Sequence, residues 1–248
     1  MGLLGDVVQW FNDPAHWRGV NGIPHRLQEH LQYSLSAVIA GVVLAVPLAV
    51  WLGHKRRYGV AAANVSNIGR AIPSYAILVI GTQQLGFVKL PVVGSFTVFI
   101  ALTALAIPPL VTNSYTAVAQ VDDDVRDAAR GMGLSEAEVL RKVELPLAAP
   151  LLMAGIRTTA VQVVATATIA GFVGAGGLGR YIIDGRAAPT PALQNIEILA
   201  GAVLVASLSL FTELMLGVVQ RKVTPKGIRT RSLTRATANA IAAPPVPI

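Results

Sequence analysis

The polar segment Val121–Pro146, VDDDVRDAARGMGLSEAEVLRKVELP, is the most informative stretch of the chain and lies between two long apolar runs. It is too polar to be embedded in a membrane and too apolar to be only a linker. Val125, Ala128, Ala129 and Met132 recur at helical spacing. We therefore expect a short helix with one apolar face, which a partner can approach closely because the alanines are small. An ordinary amphipathic loop between membrane spans is the alternative.

Local signals within this segment predict two short helices joined by a sharp turn. Gly133 permits a reversal of the chain at low steric cost. Ser135 and Glu138 have the spacing of a capping box for the second helix. Pro146 is expected to stop that helix before the next apolar run. The predicted outcome is two short helices at an angle, lying along a membrane face.

The composition predicts a polytopic helical membrane protein. Of the 248 residues, 53% are hydrophobic and 13% are charged, and the mean hydropathy is +0.59. A soluble domain usually carries about 25% charged residues. A membrane-spanning helix needs about 20 mostly apolar residues, and the chain contains several such runs. We expect an all-α membrane bundle of about five transmembrane helices. The predicted spans are Leu31–Gly53, Val60–Gly81, Ser95–Ala119, Pro150–Val173 and Ile196–Val219.

These spans divide the chain into three regions. Residues 31–220 form the transmembrane domain, with residues 121–146 as a loop within it. Residues 1–30 mix aromatic and polar side chains, and we expect either a short amphipathic segment at the membrane surface or an irregular leader. Residues 221–248 are basic and rich in Ala, Thr and Pro. This tail has little to bury, so we expect it to be disordered.

Positively charged residues predict the orientation in the membrane. Lys and Arg concentrate in the loop after the first span, in the polar segment and in the tail, and are fewer in the other loops. Because cytoplasmic loops carry an excess of these residues, we expect the C-terminus inside and the N-terminus outside. The basic residues flank apolar spans and form no single patch. This distribution favours contact with membrane lipid over a nucleic-acid partner.

Asp127-Ala128-Ala129, then Gly133, then Val143-Glu144-Leu145-Pro146 resembles the EAA loop of bacterial ABC-importer permeases. The family pattern is Glu-Ala-Ala, three spacer residues, Gly, nine spacer residues and Ile-x-Leu-Pro, and every spacing fits. Asp127 replaces Glu, and Val143 replaces Ile. The resemblance implies the fold of a type I ABC-importer permease and a loop, 121–146, that docks this subunit onto a separate ATPase.

Three further stretches are similar to permeases for glycine betaine, choline, carnitine and proline, the osmoprotectant branch of the family. They are Arg70-Ala-Ile-Pro73-Ser74, then Ile107-Pro-Pro-Leu-Val-Thr-Asn113-Ser-Tyr115, and Ala165-Thr166-Ala-Thr-Ile-Ala170 followed by Gly174-Ala-Gly176-Gly177-Leu-Gly179. The resemblance implies an importer subunit in the bacterial plasma (inner) membrane. Methionine-importer permeases share the coupling loop and part of the glycine signature, so methionine stays an alternative cargo.

The resemblance also implies the partners. They are a second permease subunit, in a homodimer or heterodimer, two ATP-binding subunits and an extracytoplasmic substrate-binding protein. The chain has no G-x-x-x-x-G-K-[ST] sequence, so ATP-Mg is expected on the partner ATPase and no cofactor on this chain. With no nucleophile–base constellation in the sequence, we expect a transport subunit that is not itself an enzyme.

The glycine-rich stretch Gly174–Gly179 also satisfies G-x-G-x-x-G. A dinucleotide fingerprint needs a preceding strand, whereas this stretch follows a predicted membrane span. The resemblance implies a flexible extracytoplasmic turn near the pathway mouth, formed by Gly174, Gly176, Gly177 and Gly179. Cysteine is absent and the four histidines are scattered, so we expect no metal site.

Polar side chains within the spans are candidates for the translocation path. Thr158, Gln162 and Thr166 repeat every four residues and share one helical face. Hydrogen bonding between helices is the alternative role for such a strip. The other candidates are Asn67, Arg70, Pro73 and Ser74 in the second span and Asn113 in the third.

Two charges within the spans require partners or water, because a buried charge in a bilayer is unfavourable. They are Arg70 and Glu213, and Glu213 could pair with Arg70 or Arg157. The chain has only three Trp and five Tyr, too few for a convincing aromatic cage around a quaternary ammonium group. High affinity for such a solute is therefore expected on the separate binding protein. A stand-alone secondary transporter, with intramembrane carboxylates that couple an ion, is the remaining alternative.

Overall fold

The computed structural model describes residues 2–56, 59, 64, 74–85, 88–90 and 94–224. In this part of the chain four helices are long and apolar enough to cross a membrane. They are Ile23–Lys55, Phe96–Ala119, Glu136–Val173 and Pro191–Val223. They match the first, third, fourth and fifth predicted spans. The second predicted span, Val60–Gly81, lies mostly outside the described residues.

The elements follow one another along the chain in a simple helical order. They are α1 (Leu3–Asn12), a 3₁₀ turn (Pro14–Trp17), α2 (Ile23–Lys55), α3 (Ser74–Leu85), β1 (Lys89–Leu90), β2 (Gly94–Ser95), α4 (Phe96–Ala119), α5 (Asp123–Gly131), α6 (Glu136–Glu138), a π-helical turn (Val139–Glu144), α7 (Leu145–Thr166), a 3₁₀ turn (Ala167–Val173), α8 (Gly179–Gly185) and α9 (Pro191–Val223). The two short strands pair antiparallel, with Lys89 opposite Ser95.

Helix α2 begins earlier than predicted, at Ile23 and not at Leu31. Pro24 lies in its first turn, where a missing backbone N–H leaves no bond unmade. The boundary predicted at residue 30 is therefore wrong, because the polar residues before Leu31 belong to the same helix. At about 1.5 Å per residue this helix is about 50 Å long, more than the hydrocarbon core of about 30 Å. Its polar first turns therefore project from the membrane.

Close packing of α2 against α4 forms the centre of the fold. Small side chains let the two backbones approach, as in many membrane helix pairs. A Cβ added at Gly53 would lie 2.8 Å from the carbonyl oxygen of Tyr115, and one at Gly41 would lie 3.1 Å from Ala106. Helix α7 packs on α4, and α9 packs on α7. The outer faces carry large exposed apolar side chains, which suit a lipid environment.

The N-terminal residues form a helix that leans on α9. Val7 and Trp10 of α1 are buried, and Trp10 packs with Ile23 and Ala200. The opposite face is exposed, with Leu4 76% accessible. Of the two predicted forms, the amphipathic segment is the one observed, and its place at a membrane surface stays a prediction. At the other end, α9 continues to Val223, so the tail predicted from residue 221 begins within the helix.

Candidate functional site

The short helix α5 carries the first half of the coupling motif and has well-defined ends. The Asp122 carboxylate accepts a hydrogen bond from the backbone N–H of Asp124 at 2.9 Å and caps its start. At its end the N–H of Gly133 bonds the carbonyl of Arg130, and the N–H of Leu134 bonds that of Ala129. This pair of bonds is a Schellman motif, which requires a left-handed residue. Gly133 supplies it with φ +86°, so the predicted reversal at Gly133 is confirmed.

The second half of the motif starts as predicted and ends differently. The Glu138 carboxylate accepts bonds from the backbone N–H and hydroxyl of Ser135, so the predicted capping box is present. The predicted stop at Pro146 is wrong. The helix passes through a π-helical turn, in which the N–H of Leu145 bonds the carbonyl of Leu140, and runs directly into α7. Pro146 falls in the first turn after this change of bonding, where its missing N–H is tolerated. Only α5 is therefore a separate short helix.

Helix α5 presents an exposed apolar strip formed by Val125, Ala128 and Met132. Val125 is 42% exposed and Met132 75% exposed. The prediction of one face that also includes Ala129 is wrong, because Ala129 is 1% exposed and faces the protein. Successive helical residues lie about 100° apart, which puts Ala128 and Ala129 on different faces. Asp127 is exposed beside the strip and pairs with Arg130 at 2.8 Å.

The remaining motif residues connect this segment to the membrane helices. Leu145 is half-buried and packs with Leu140 against a cluster that includes Val50 and Val118. Val143 is half-buried, and Pro146 is exposed. Leu145 therefore anchors the segment, whereas Pro146 is accessible to a partner.

A buried polar cluster, formed by His54, Arg126 and Glu144, joins α5 to α2 and to the start of α7. Glu144 is 0% exposed, Arg126 3% and His54 6%. One Glu144 oxygen forms an ion pair with Arg126 Nε at 2.6 Å, and the other contacts His54 Nδ1 at 2.8 Å. Arg126 Nη2 also donates to the His54 carbonyl oxygen at 2.7 Å. The sequence analysis missed these residues because Glu144 occupies the unspecified position of the motif.

An outer ring of exposed ion pairs surrounds this cluster. His54 Nε2 lies 3.2 Å from the Glu136 carboxylate, and Arg130 pairs with Glu136 at 2.8 Å. Hydrogen bonds from Glu136 and Asp127 raise the pKa of Arg130 above its ordinary value, so it stays charged. Arg56, just after α2, pairs with Asp123 at the start of α5. Basic and acidic groups balance one another here.

The glycine-rich turn is clamped and not flexible as predicted. The N–H of Gly177 donates to Glu29 Oε2 at 2.8 Å, and the same oxygen pairs with Arg26 at 2.8 Å. The N–H of Leu178 donates to His30 Nδ1 at 3.3 Å, while His30 Nε2 bonds the carbonyl of Val164 at 2.9 Å. The first turns of α2 therefore hold this turn.

The glycines themselves are required by close approach and by backbone conformation. Gly174 and Gly177 have φ of +78° and +89°. A Cβ at Gly176 would lie 1.9 Å from Glu29 Oε2, and one at Gly179 would lie 2.0 Å from the Thr168 carbonyl oxygen. A 3₁₀ turn precedes the stretch and no strand leads into it among the described residues, which rules out the dinucleotide fingerprint.

Beside the turn, Tyr181 of α8 is tied to the segment before α2. Its hydroxyl donates to the carbonyl oxygen of Asn21 at 2.7 Å. Burial raises the pKa of Tyr181 to about 12, so the hydroxyl keeps its proton and its role as donor.

The predicted strip on the fourth span lies on an outward face of this chain. Thr158 and Gln162 are exposed, and Thr166 is half-buried. The Thr158 hydroxyl bonds the carbonyl of Ala154 in its own helix. Within the described residues neither Thr158 nor Gln162 bonds another helix. This arrangement leaves their polar atoms available to a pathway or a second subunit.

The other pathway candidates have different outcomes. Asn113 of α4 packs against α7, where a Cβ at Gly155 would lie 2.5 Å from the Asn113 Cβ. Asn67, Arg70 and Pro73 lie outside the described residues, and Ser74 is the first residue of α3.

Glu213 has a partner in the described part of the chain. It pairs with Arg157 at 2.9 Å, and Arg157 also donates to Gln220 at 3.0 Å. One of the two pairings considered for Glu213 is therefore observed. The described residues include no group of three or more His, Asp or Glu side chains placed to hold a metal ion.

Comparison with known proteins gives one family and a consistent set of relatives. Residues 37–225 match the family described as "Binding-protein-dependent transport system inner membrane component". The chain is 38% identical over 205 residues to the glycine betaine/carnitine/choline transport system permease protein OpuCB of Bacillus subtilis, covering 83% of this chain and 90% of the relative. It is 38% identical over 223 residues to the carnitine transport permease protein OpuCB of Listeria monocytogenes, covering 90% and 95%.

A solved structure matches the fold. The inward-facing MetNI methionine ABC transporter has a chain that superposes with a TM-score of 0.69 at 24% sequence identity, covering 86% of this chain and 99% of the other. At that identity the likeness concerns the fold alone. The helical arrangement described above therefore has a counterpart in a solved transporter.

Proposed function

Because the chain belongs to the family of binding-protein-dependent transport system inner membrane components, we propose that it is the membrane permease of an ABC importer for osmoprotectants. In such an assembly a separate ATPase binds ATP-Mg, and this chain forms part of the path. Two permease subunits, two ATP-binding subunits and an extracytoplasmic binding protein make up the complex. The feature that carries the proposal is helix α5, a separate short helix with an exposed apolar strip next to the membrane helices.

The exposed strip on α5 has the form of a docking surface for the ATPase. Val125, Ala128 and Met132 would be unfavourable in contact with water, and Ala128 lets a partner approach the backbone. Asp127 adds a charge at the edge of the strip. The Schellman turn at Gly133 fixes the direction of the helix. We assign docking to these residues, together with Pro146, and a supporting role to Ala129, Val143 and Leu145.

The cargo proposal rests on the relatives and on the chemistry of the strip on α7. Several relatives are named as permeases for glycine betaine, carnitine or choline, which carry a quaternary ammonium group. Thr158, Gln162 and Thr166 provide uncharged polar groups, which suit a zwitterionic or cationic solute that must be released again. A second permease subunit facing this strip would close the path. The glycine turn would then lie near the mouth.

The orientation follows from the same assembly. The ATPase is cytoplasmic, so α5 and the adjacent Lys55 and Arg56 lie on the cytoplasmic side. Helix α2 then places Glu29 and the glycine turn outside, where a binding protein can reach them. The C-terminal end of α9 lies inside.

Uptake into proteoliposomes tests this function. The permease is reconstituted with its ATPase and binding protein, and labelled glycine betaine and labelled methionine are compared. We expect glycine betaine uptake that requires both ATP and the binding protein. Methionine uptake without glycine betaine uptake would contradict the proposed cargo. Uptake of either solute without ATP would contradict an importer and support a secondary transporter.

A further inference from the structure

The buried cluster of His54, Arg126 and Glu144 is the one polar contact set in the described residues that joins α5 to both α2 and the start of α7. It lies beneath the exposed strip of α5. Arg126 and Ala129 are the buried residues of α5, whereas the proposed docking residues point away from the membrane helices. Any displacement of α5 must therefore move Arg126 relative to Glu144 and His54.

The contacts of this cluster are directional and short. Arg126 Nε is 2.6 Å from one Glu144 oxygen, and Arg126 Nη2 is 2.7 Å from the His54 carbonyl oxygen. The second Glu144 oxygen is 2.8 Å from His54 Nδ1. A buried charge that loses its partner is strongly destabilised, so these groups stay together during a movement. Apolar side chains at the same positions could slide past each other with little loss.

We propose that Glu144 and Arg126 are positioning residues that transmit movement of the docked helix α5 to α2 and α7. This inference rests on the proposed function, since it assumes that an ATPase docks on α5. It goes further in that it assigns the transmission to two residues outside the recognised motif. Glu144 is at the junction between the π-helical turn and α7, so a pull on its carboxylate acts directly on the strip-bearing helix.

The ratio of ATP hydrolysed to solute imported is the measurement that tests this role. We would reconstitute the complete complex with wild-type permease, Glu144→Gln and Arg126→Met. The variants should still bind the ATPase, because the exposed strip is unchanged. The ratio should rise about fivefold or more, the lower end of typical coupling between two sites. An unchanged ratio in both variants, with normal uptake, would overturn the inference.

A matched control separates transmission from stability. Glu213→Gln removes a carboxylate from another ion pair between helices, with Arg157 at 2.9 Å, that does not touch α5. We expect it to lower the thermal transition of the purified protein while leaving the ratio at the wild-type value. If Glu213→Gln raises the ratio as much as Glu144→Gln, the effect comes from general destabilisation and the inference fails.

A double variant keeps the test decisive if the single variants fold poorly. Arg126→Met with Glu144→Leu removes both charges at once, which is often neutral or stabilising for a buried pair. We expect it to recover thermal stability but to keep the raised ratio, because apolar contacts do not fix direction. Recovery of the wild-type ratio together with stability would mean that the pair only stabilises the fold. If the wild-type complex itself shows no ATP-driven uptake, the proposed function fails instead.

Discussion

Replacing Gly176 by Ala tests whether the glycine turn is clamped by α2. The added Cβ would lie 1.9 Å from Glu29 Oε2, so the carboxylate must move away. Glu29 would then lose its bond from the Gly177 N–H and its ion pair with Arg26, both at 2.8 Å. A hydrogen bond to a charged group contributes about 1.5–3 kcal/mol, and overpacking costs about 1–3 kcal/mol.

From these contributions we expect Gly176→Ala to lower the free energy of unfolding by about 2–4 kcal/mol. For a protein of this length the thermal transition should fall by about 5–15 °C. The transition is measured on purified protein in detergent. Gly131→Ala is the control, because a Cβ there meets no atom of the described residues within 4 Å, and we expect no destabilisation.

A double variant identifies the cause of the loss. In a Glu29→Ala background the clashing carboxylate is absent, so adding Gly176→Ala should produce little further loss. If Gly176→Ala is as destabilising in that background as in the wild type, the clash with Glu29 is not the reason and the reasoning is refuted.

Four other outcomes can be measured on the same protein. Gly133→Val should reduce uptake strongly, because a β-branched residue at φ +86° is strained; normal uptake would show that the turn is dispensable. Met132→Asp should weaken ATPase pull-down at least tenfold without changing the thermal transition, because the 75% exposed side chain supports only docking; unchanged pull-down would exclude Met132 from the interface. Cysteines introduced at Lys55 and Ser232 should resist an impermeant thiol reagent in intact cells, and labelling of both would reverse the orientation. Gln162→Leu should lower the maximal uptake rate more than the apparent affinity, and a change in affinity alone would place Gln162 outside the path.

The sequence predicted the membrane helices and the coupling motif because both depend on local patterns. Apolar runs long enough for a bilayer identified the helices near Ser95–Ala119 and Ile196–Val219, which the structure has at Phe96–Ala119 and Pro191–Val223. The reversal at Gly133 and the capping box were predicted from residue types with few other uses.

Contacts between distant residues could not be predicted in the same way. Glu144 and His54 are 90 residues apart, and Gly177 and Glu29 are 148 apart. No local pattern indicates such pairs. The error at Pro146 has a local cause: a proline ends a helix only if the bonding stays α-helical, and here a π-helical turn precedes it.

Helix α2 carries the glycine-turn clamp at one end and the buried cluster at the other. Glu29 and His54 are about 37 Å apart along the axis of this helix at 1.5 Å per residue. Pro47 removes one backbone hydrogen bond but does not interrupt the helix. As a stiff rod, α2 would act as a lever: a tilt of about 10° about its midpoint moves each of these points by about 3 Å, in opposite directions. A cytoplasmic displacement would therefore appear at the far side of the membrane without any relay of side chains between the two ends.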